Sequence, residues 1–358
     1  MFAALRLAYS IINLLDEIIS HMSNPYIIAE VGQNHQGSLE EALRYVVTFA
    51  SLGASAIKFQ MRDNKTLFDS SIYDMPYESP NSFGETYGAH REHLELDYAE
   101  MELLRQRCKD LGVDFIVTPF DSPSLERCVN LKVDALKVAS FDLGNLSFLD
   151  VLAQTKIPLI MSTGGGSLDH IVTSVNTITH HHNALTLLHC VSLYPCPLDA
   201  VNLGNISTLK QRFPDLEIGL SDHFNGTLTG PLAYTLGARV FEKHVTFDRS
   251  NKGTDHPFSL EPEGFRKFVR DISRVDVLMQ AKSHKELGKE FVFQKLGKSI
   301  ISKHDLPSGH LLSLRDLDGR ICRPTMIPVR ETVNIVGKRL KTSLAAGSYL
   351  SFDHLQDA

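Results

Sequence analysis

Two histidines, two lysines and a glutamate stand at the ends of short apolar runs in this 358-residue chain: His223, His244, Lys58, Lys137 and Glu30. Two neutral imidazoles facing one point, completed by water and substrate oxygens, make an octahedral site for Mn²⁺, with Mg²⁺ or Co²⁺ as alternatives. Lysine is costly to bury unpaired, so two of them converging call for an anion, and a phosphate or carboxylate fits. The run Ser162-Thr163-Gly164-Gly165-Gly166 adds hydroxyls and open backbone N–H groups at the start of a helix, which together can cradle phosphate. Further polar groups close comparable runs: Gln60, Thr118, Ser140, Asp142, Ser192, Tyr194 and Ser221. The triplet His180-His181-His182 is no metal site, because consecutive residues cannot all face one ion. It reads as an exposed loop.

These residues need elements to hold them. From Tyr26 to about Lys282, eight short apolar runs alternate with longer stretches of helical period: YIIAEV, SAIKFQ, DFIVTPF, DALKVAS, PLIMST, LTLLHC, EIGLS and ARVFEKH. Near-continuous apolar strands alternating with helices describe a parallel sheet covered on its faces. Eight units, with no Gly-x-Gly-x-x-Gly after the first, favour a closed α/β fold, the (β/α)₈ TIM barrel, over a doubly wound sheet. In such a barrel the working residues sit at the C-terminal ends of the strands, which is where the groups above fall. His223 and His244 then leave adjacent strands. The stretch from Met61 to Glu95 reads as a long binding loop.

Boundaries follow from composition. Residues 1–22 read as a helical extension, since Arg6, Asp16 and Glu17 interrupt an apolar segment too charged to span a membrane. The barrel takes 23–282, a charged and Gly-containing linker 283–296, and a small β-rich domain 297–358. Its two blocks, KSIISKHDLPSGHLLSLRDL and VGKRLKTSLAAGSYLSFDHL, share one order of basic residue, apolar run, Gly and apolar run.

A net charge of −6 argues against nucleic-acid binding. Five widely spaced cysteines without a Cys-x-x-Cys pair point to a reducing cytoplasm rather than a disulfide framework. Cys190 and Cys196 read as packing residues.

The segments IIAEVGQNHQG, AIKFQ, STGGG, LLHCVSLYPCP, GLSDH, EKHVTFDRSNKGTDHPFSLEP and KLGKSII, in this order, resemble the sialic acid (N-acetylneuraminate) synthase family and its nonulosonate relatives. The tail resembles the antifreeze-protein-like (SAF) module fused to such barrels. The resemblance implies a transferase that joins phosphoenolpyruvate to an N-acetylmannosamine-type aldehyde. It implies Glu30 as the group that handles protons and activates water. Lys58, Thr118, Lys137, Ser140, Ser162 and Ser221 would hold phosphoenolpyruvate, with Ser192 where an asparagine often does so. His223 and His244 would bind the metal, and Gln60, Tyr194 and Asp255 the sugar. Arg323 would reach a neighbour's site in a domain-swapped homodimer. In KVASFDLGN, Phe141 and Asp142 replace a common Gly-Glu pair, and PTMIP follows Arg323 instead of a Pro-Gly-x-Gly turn. Legionaminic- or pseudaminic-type and 9-phosphate products stay open, and so, more remotely, does an inactive carbohydrate-binding paralogue.

Overall fold

In the computed structural model, residues 24–283 and 290–357 are described. The helix expected over residues 1–22 lies outside them, as does the middle of the expected linker, 284–289. The end of that linker forms a short helix, Phe291–Leu296. The chain divides into two compact units between Met279 and Gln280.

Eight parallel strands close into a barrel in chain order: β1 (Tyr26–Gly32), β2 (Ala56–Met61), β3 (Asp114–Pro119), β4 (Ala135–Val138), β5 (Leu159–Ser162), β6 (Leu185–Cys190), β7 (Glu217–Asp222) and β8 (Val240–His244). Every one of the eight apolar runs contributes a strand. Closure pairs β8 with β1, setting Glu30 beside His244. With helices between the strands, this is a (β/α)₈ barrel.

The helices are set by caps and an apolar stripe. Leu39–Ser51 starts where the Ser38 side chain accepts a hydrogen bond from Glu41 N, and it buries Ala42, Tyr45, Val46 and Phe49 against the barrel. Phe49 meets Phe265 edge-on at 5.2 Å, and each buried ring contributes about 1.5–3 kcal/mol. The stretch after β2 holds three short helices, Asn64–Leu67, Ser70–Tyr73 and Tyr87–His93, capped by Asp63, Asp69 and Thr86. That segment therefore has a defined shape.

Side chains alternate along a strand, so every second residue points into the barrel. One inner layer is apolar: Ile28, Ala56, Ile116, Ala135, Ile160, Leu188 and Val240. Gly219 completes it, because a Cβ there would lie 2.2 Å from Val240 O. Two residues further along, the layer turns polar: Glu30, Lys58, Thr118, Lys137, Ser162, Cys190, Ser221 and Glu242, all buried. The apolar plug beneath keeps water out, which strengthens charge interactions in the layer above.

The second unit holds two antiparallel pairs. One is β9 (Lys298–Ser302) with β10 (Leu317–Ile321), and the other is β11 (Arg339–Leu340) with β12 (Leu355–Gln356). Its core gathers Ile300, Leu306, Leu317, Ile335, Leu340 and Leu350 among others. The two similar sequence blocks repeat in structure. Leu306 and Leu344 exchange reciprocal backbone hydrogen bonds at 2.8 Å each, and each block ends in a capping box, Ser313 with Asp316 and Ser351 with His354.

Candidate active site

The polar layer is a closed set of charges. Lys58 Nζ lies 2.7 Å from Glu30 Oε2, donates to Thr118 Oγ1 at 3.2 Å, and stands 3.7 Å from Glu242 Oε2. Lys137 Nζ donates to Ser162 Oγ at 2.6 Å and to Val138 O at 2.9 Å, and lies 3.9 Å from the same Glu242 oxygen. Gln60 donates to Glu30 Oε1 at 2.7 Å, and Ser221 to Glu242 Oε1 at 3.1 Å.

The two carboxylates are driven apart. Burial raises Glu30 above the usual carboxylate range and the charge of Glu242 adds to this, with Lys58 opposing. Burial also works against ionisation of Glu242, but Lys137 and Lys58 outweigh it and hold the group at about 2. Glu30 is thus the readier of the two to take up a proton, an asymmetry of the kind that can separate acid–base from electrostatic roles. Burial lowers Lys137; at Lys58 the charges of Glu242 and Glu30 overcome burial and raise it.

Above this layer the rings of His223 and His244 lie 5.4 Å apart, with Phe258 edge-on to both. His223 Nδ1 donates to Val191 O at 2.9 Å, which leaves Nε2 as the lone-pair nitrogen. His244 Nδ1 is buried without a hydrogen-bond partner, 3.7 Å from Asp255 Oδ2, and burial pushes His244 down to about 3. His223 is held up instead, because the Cys190 thiol and Val191 carbonyl overcome burial. Each imidazole keeps one nitrogen not bonded to the backbone, and such a pair fits a divalent ion. Among the described residues, no third His, Cys, Asp or Glu completes a cluster, so water or substrate oxygens would fill the remaining positions.

Beside Lys137, the turn after β5 packs tightly. A Cβ on Gly164 would lie 2.4 Å from Ser192 Oγ and 2.8 Å from Ser140 Oγ, so a side chain here would displace both hydroxyls. Gly164 N donates to Ser140 Oγ at 3.1 Å, and Ser192 Oγ is buried without a partner. Tyr194 packs against His223 at a 46° tilt, with ring centroids 4.2 Å apart.

The expected residues Glu30, Lys58, Gln60, Thr118, Lys137, Ser162, Ser221, His223 and His244 all meet at the barrel mouth, with Ser140, Ser192, Tyr194 and Asp255 around them. Two behave differently. Asp142 turns its carboxylate to Asn145 Nδ2 at 2.9 Å, and Phe141, 77% exposed, lines the clefts at the mouth. Arg323 belongs to the second unit. Reading the strand ends without their alternation missed the weight of Glu242. Glu242 and His244 point inward, while Lys243 between them faces out. The same alternation puts Cys190 inside, in the polar layer. His189 faces the other way and bonds Val201 O at 2.8 Å.

The chain matches the NeuB family model over residues 45–284. The N-acetylneuraminate-9-phosphate synthase of Drosophila melanogaster is 34% identical to it, across 92% of this chain and 96% of that protein. The N,N'-diacetyllegionaminic acid synthase of Legionella pneumophila is 35% identical, across 92% and 94%. Among solved structures, the N-acetylneuraminic acid (sialic acid) synthetase of Leptospira borgpetersenii, in complex with citrate, is 34% identical with a TM-score of 0.64, covering 76% of this chain and 90% of that one. A family model across most of the barrel, and relatives aligned along nine tenths of the chain, agree with the inward-facing residues: the chain belongs to the NeuB family.

Proposed function

We propose that the protein is a C–C bond-forming transferase that condenses phosphoenolpyruvate with an N-acetylmannosamine-type sugar aldehyde, releasing phosphate and a nonulosonic acid. The observation that carries this reading is the buried layer of Glu30, Lys58, Lys137 and Glu242 directly beneath two imidazoles in one barrel mouth. The relatives' names agree in reaction type.

Lys58 and Lys137, with Thr118, Ser140, Ser162, Ser192 and Ser221, bind the phosphate and carboxylate of phosphoenolpyruvate. Gln60, Tyr194 and Asp255 orient the open-chain sugar. His223 and His244 would hold a divalent ion, Mn²⁺ first and Mg²⁺ or Co²⁺ as alternatives, which supplies Lewis acidity toward the aldehyde oxygen. The enol π pair of phosphoenolpyruvate forms the new bond to the aldehyde carbon, whose carbonyl pair becomes an alkoxide and takes a proton. Water adds at the electron-poor C2, and Glu30 accepts its proton. The tetrahedral centre collapses to the ketone as the C–O bond to phosphate breaks. The two lysines offset the moving negative charge, and Glu242 keeps them charged and in place.

Phosphoenolpyruvate adds three carbons ahead of the sugar, so C6 of the hexosamine becomes C9 of the product. The relatives are named for products with and without a 9-phosphate. A cytoplasmic setting suits five free cysteines. A domain-swapped homodimer in which Arg323 reaches the neighbouring subunit's site completes the reading. The test is product mass and phosphate release from phosphoenolpyruvate with a panel of N-acetylhexosamines and their 6-phosphates, with and without Mn²⁺. Absence of a three-carbon-extended acid with every sugar would sink it.

A further inference from the structure

A cleft of about 490 Å³ runs outward from Tyr194 and Asp255, beside the imidazoles, to Arg62 and Arg91 under the short helices that follow β2. Its walls are aromatic, with Phe68, Tyr87, Phe120 and Phe141 among them. Arg62 is pinned. Its guanidinium stacks on Phe120 with Cζ 3.9 Å from the ring centroid, and it pairs with Glu95 at 3.3 Å and donates to Gln60 Oε1 at 2.5 Å. Arg91 is held differently. Its Nη1 donates to Gln33 Oε1 at 3.0 Å, and among the described residues no carboxylate forms an ion pair with it. Its Nε is buried without an acceptor, and so is the Nε2 of Gln33.

Two buried donors without acceptors, on side chains bonded to each other, beside a second guanidinium, form a set that lacks only an anion. A buried donor left unpaired is costly, and arginine forks match phosphate oxygens. The acids nearby are already engaged: Glu95 serves Arg62, and Asp255 faces His244 at the inner end. The geometry also gives the direction. With the aldehyde carbon at the imidazole end, the far end of an open-chain sugar extends along the aromatic walls toward Arg91.

We propose that Gln33, Arg62 and Arg91 form an anion subsite for a phosphate monoester on the terminal carbon of the sugar, so that the preferred acceptor is an N-acetylhexosamine 6-phosphate. This rests on the condensation reading above and adds the substrate class. Arg91, outside any ion pair among the described residues, gives the phosphate a cation, Gln33 orients Arg91 and donates through Nε2, and Arg62 supplies the fixed second cation.

The test uses the full chain with saturating phosphoenolpyruvate and follows its consumption with N-acetylmannosamine and with N-acetylmannosamine 6-phosphate. The expected result is a kcat/KM at least tenfold higher for the 6-phosphate. In Arg91→Gln that ratio falls at least tenfold, mainly through KM for the phosphorylated sugar, and Arg91→Lys recovers part of it. Equal kcat/KM for the two sugars in the native protein overturns the subsite while leaving the condensation reading standing. So does an Arg91→Gln variant that loses activity equally on both. No consumption with either sugar in the presence of Mn²⁺ also overturns the subsite, while the condensation reading stands or falls on the wider sugar panel.

Discussion

Lys243 Nζ lies 2.6 Å from Asp222 Oδ2, joining β7 and β8 on the face of the barrel wall opposite His223 and His244. Both groups are buried, and Thr229 and the carbonyl of Phe224 bond to the same pair. The two imidazoles follow Asp222 and Lys243 directly in sequence, so the ion pair fixes the strand ends from which they project. Removing one partner leaves an uncompensated buried charge, which costs about 3–5 kcal/mol. Asp222→Ala is expected to lower stability by that amount in urea unfolding. A loss below about 1 kcal/mol would show that the pair does not hold the wall.

His223→Ala and His244→Ala should each weaken Mn²⁺ binding about 100-fold or more, since each removes one of the two proposed protein ligands. Calorimetric titration of the apo-protein measures this without any assay of turnover. Native affinity in both variants would move the metal elsewhere.

Glu30→Gln keeps the hydrogen-bonding shape but removes the proposed proton acceptor. Turnover is expected to drop about 100- to 10,000-fold with KM for phosphoenolpyruvate little changed. Unchanged kcat would remove Glu30 from the proton transfer.

Glu242→Gln takes a fixed negative charge from beside Glu30. The charge of Glu242 raises Glu30, so its loss makes Glu30 easier to ionise. Activity that requires ionised Glu30 should then persist to lower pH, moving the acid limb of the kcat/KM profile downward. A shift upward, or none, would separate the two carboxylates functionally.

In the second unit, Asp316 accepts from His310, His304 and Ser313. Burial opposes its ionisation, but the hydrogen bonds from His310 and Ser313 prevail and hold it well below the usual carboxylate range. A group depressed in the folded state stabilises fully above its unfolded value near 4, and that contribution is lost as pH falls through the folded value. The melting-temperature gap between native protein and Asp316→Asn should therefore shrink as pH drops from 5 toward 3. A constant gap would show that the charge of Asp316 is not what stabilises this unit.

The barrel was legible because its strands are buried on both faces and so read as apolar runs, and eight of them alternating with helices leave few closed arrangements. The polar strand ends were legible for the same reason: Glu30, Lys58, Lys137, His223 and His244 interrupt runs that are otherwise apolar. The sequence by itself therefore determined the architecture, the repeated pattern of the second unit and most of the inventory of the mouth. It did not determine which neighbours act together. Glu242 and Lys243 are adjacent and both charged, yet strand alternation sends one to the lysines inside and the other to Asp222 outside. Asp142 and Phe141 share a three-residue turn, and only the folded backbone shows that the aromatic ring, not the carboxylate, lines the mouth. Arg62 and Arg91 lie in a segment without periodicity, 29 positions apart. Their meeting at one cleft is decided by how three capped helices pack, because ion pairing and orphaned donors depend on distance in space, which spacing along the chain does not encode.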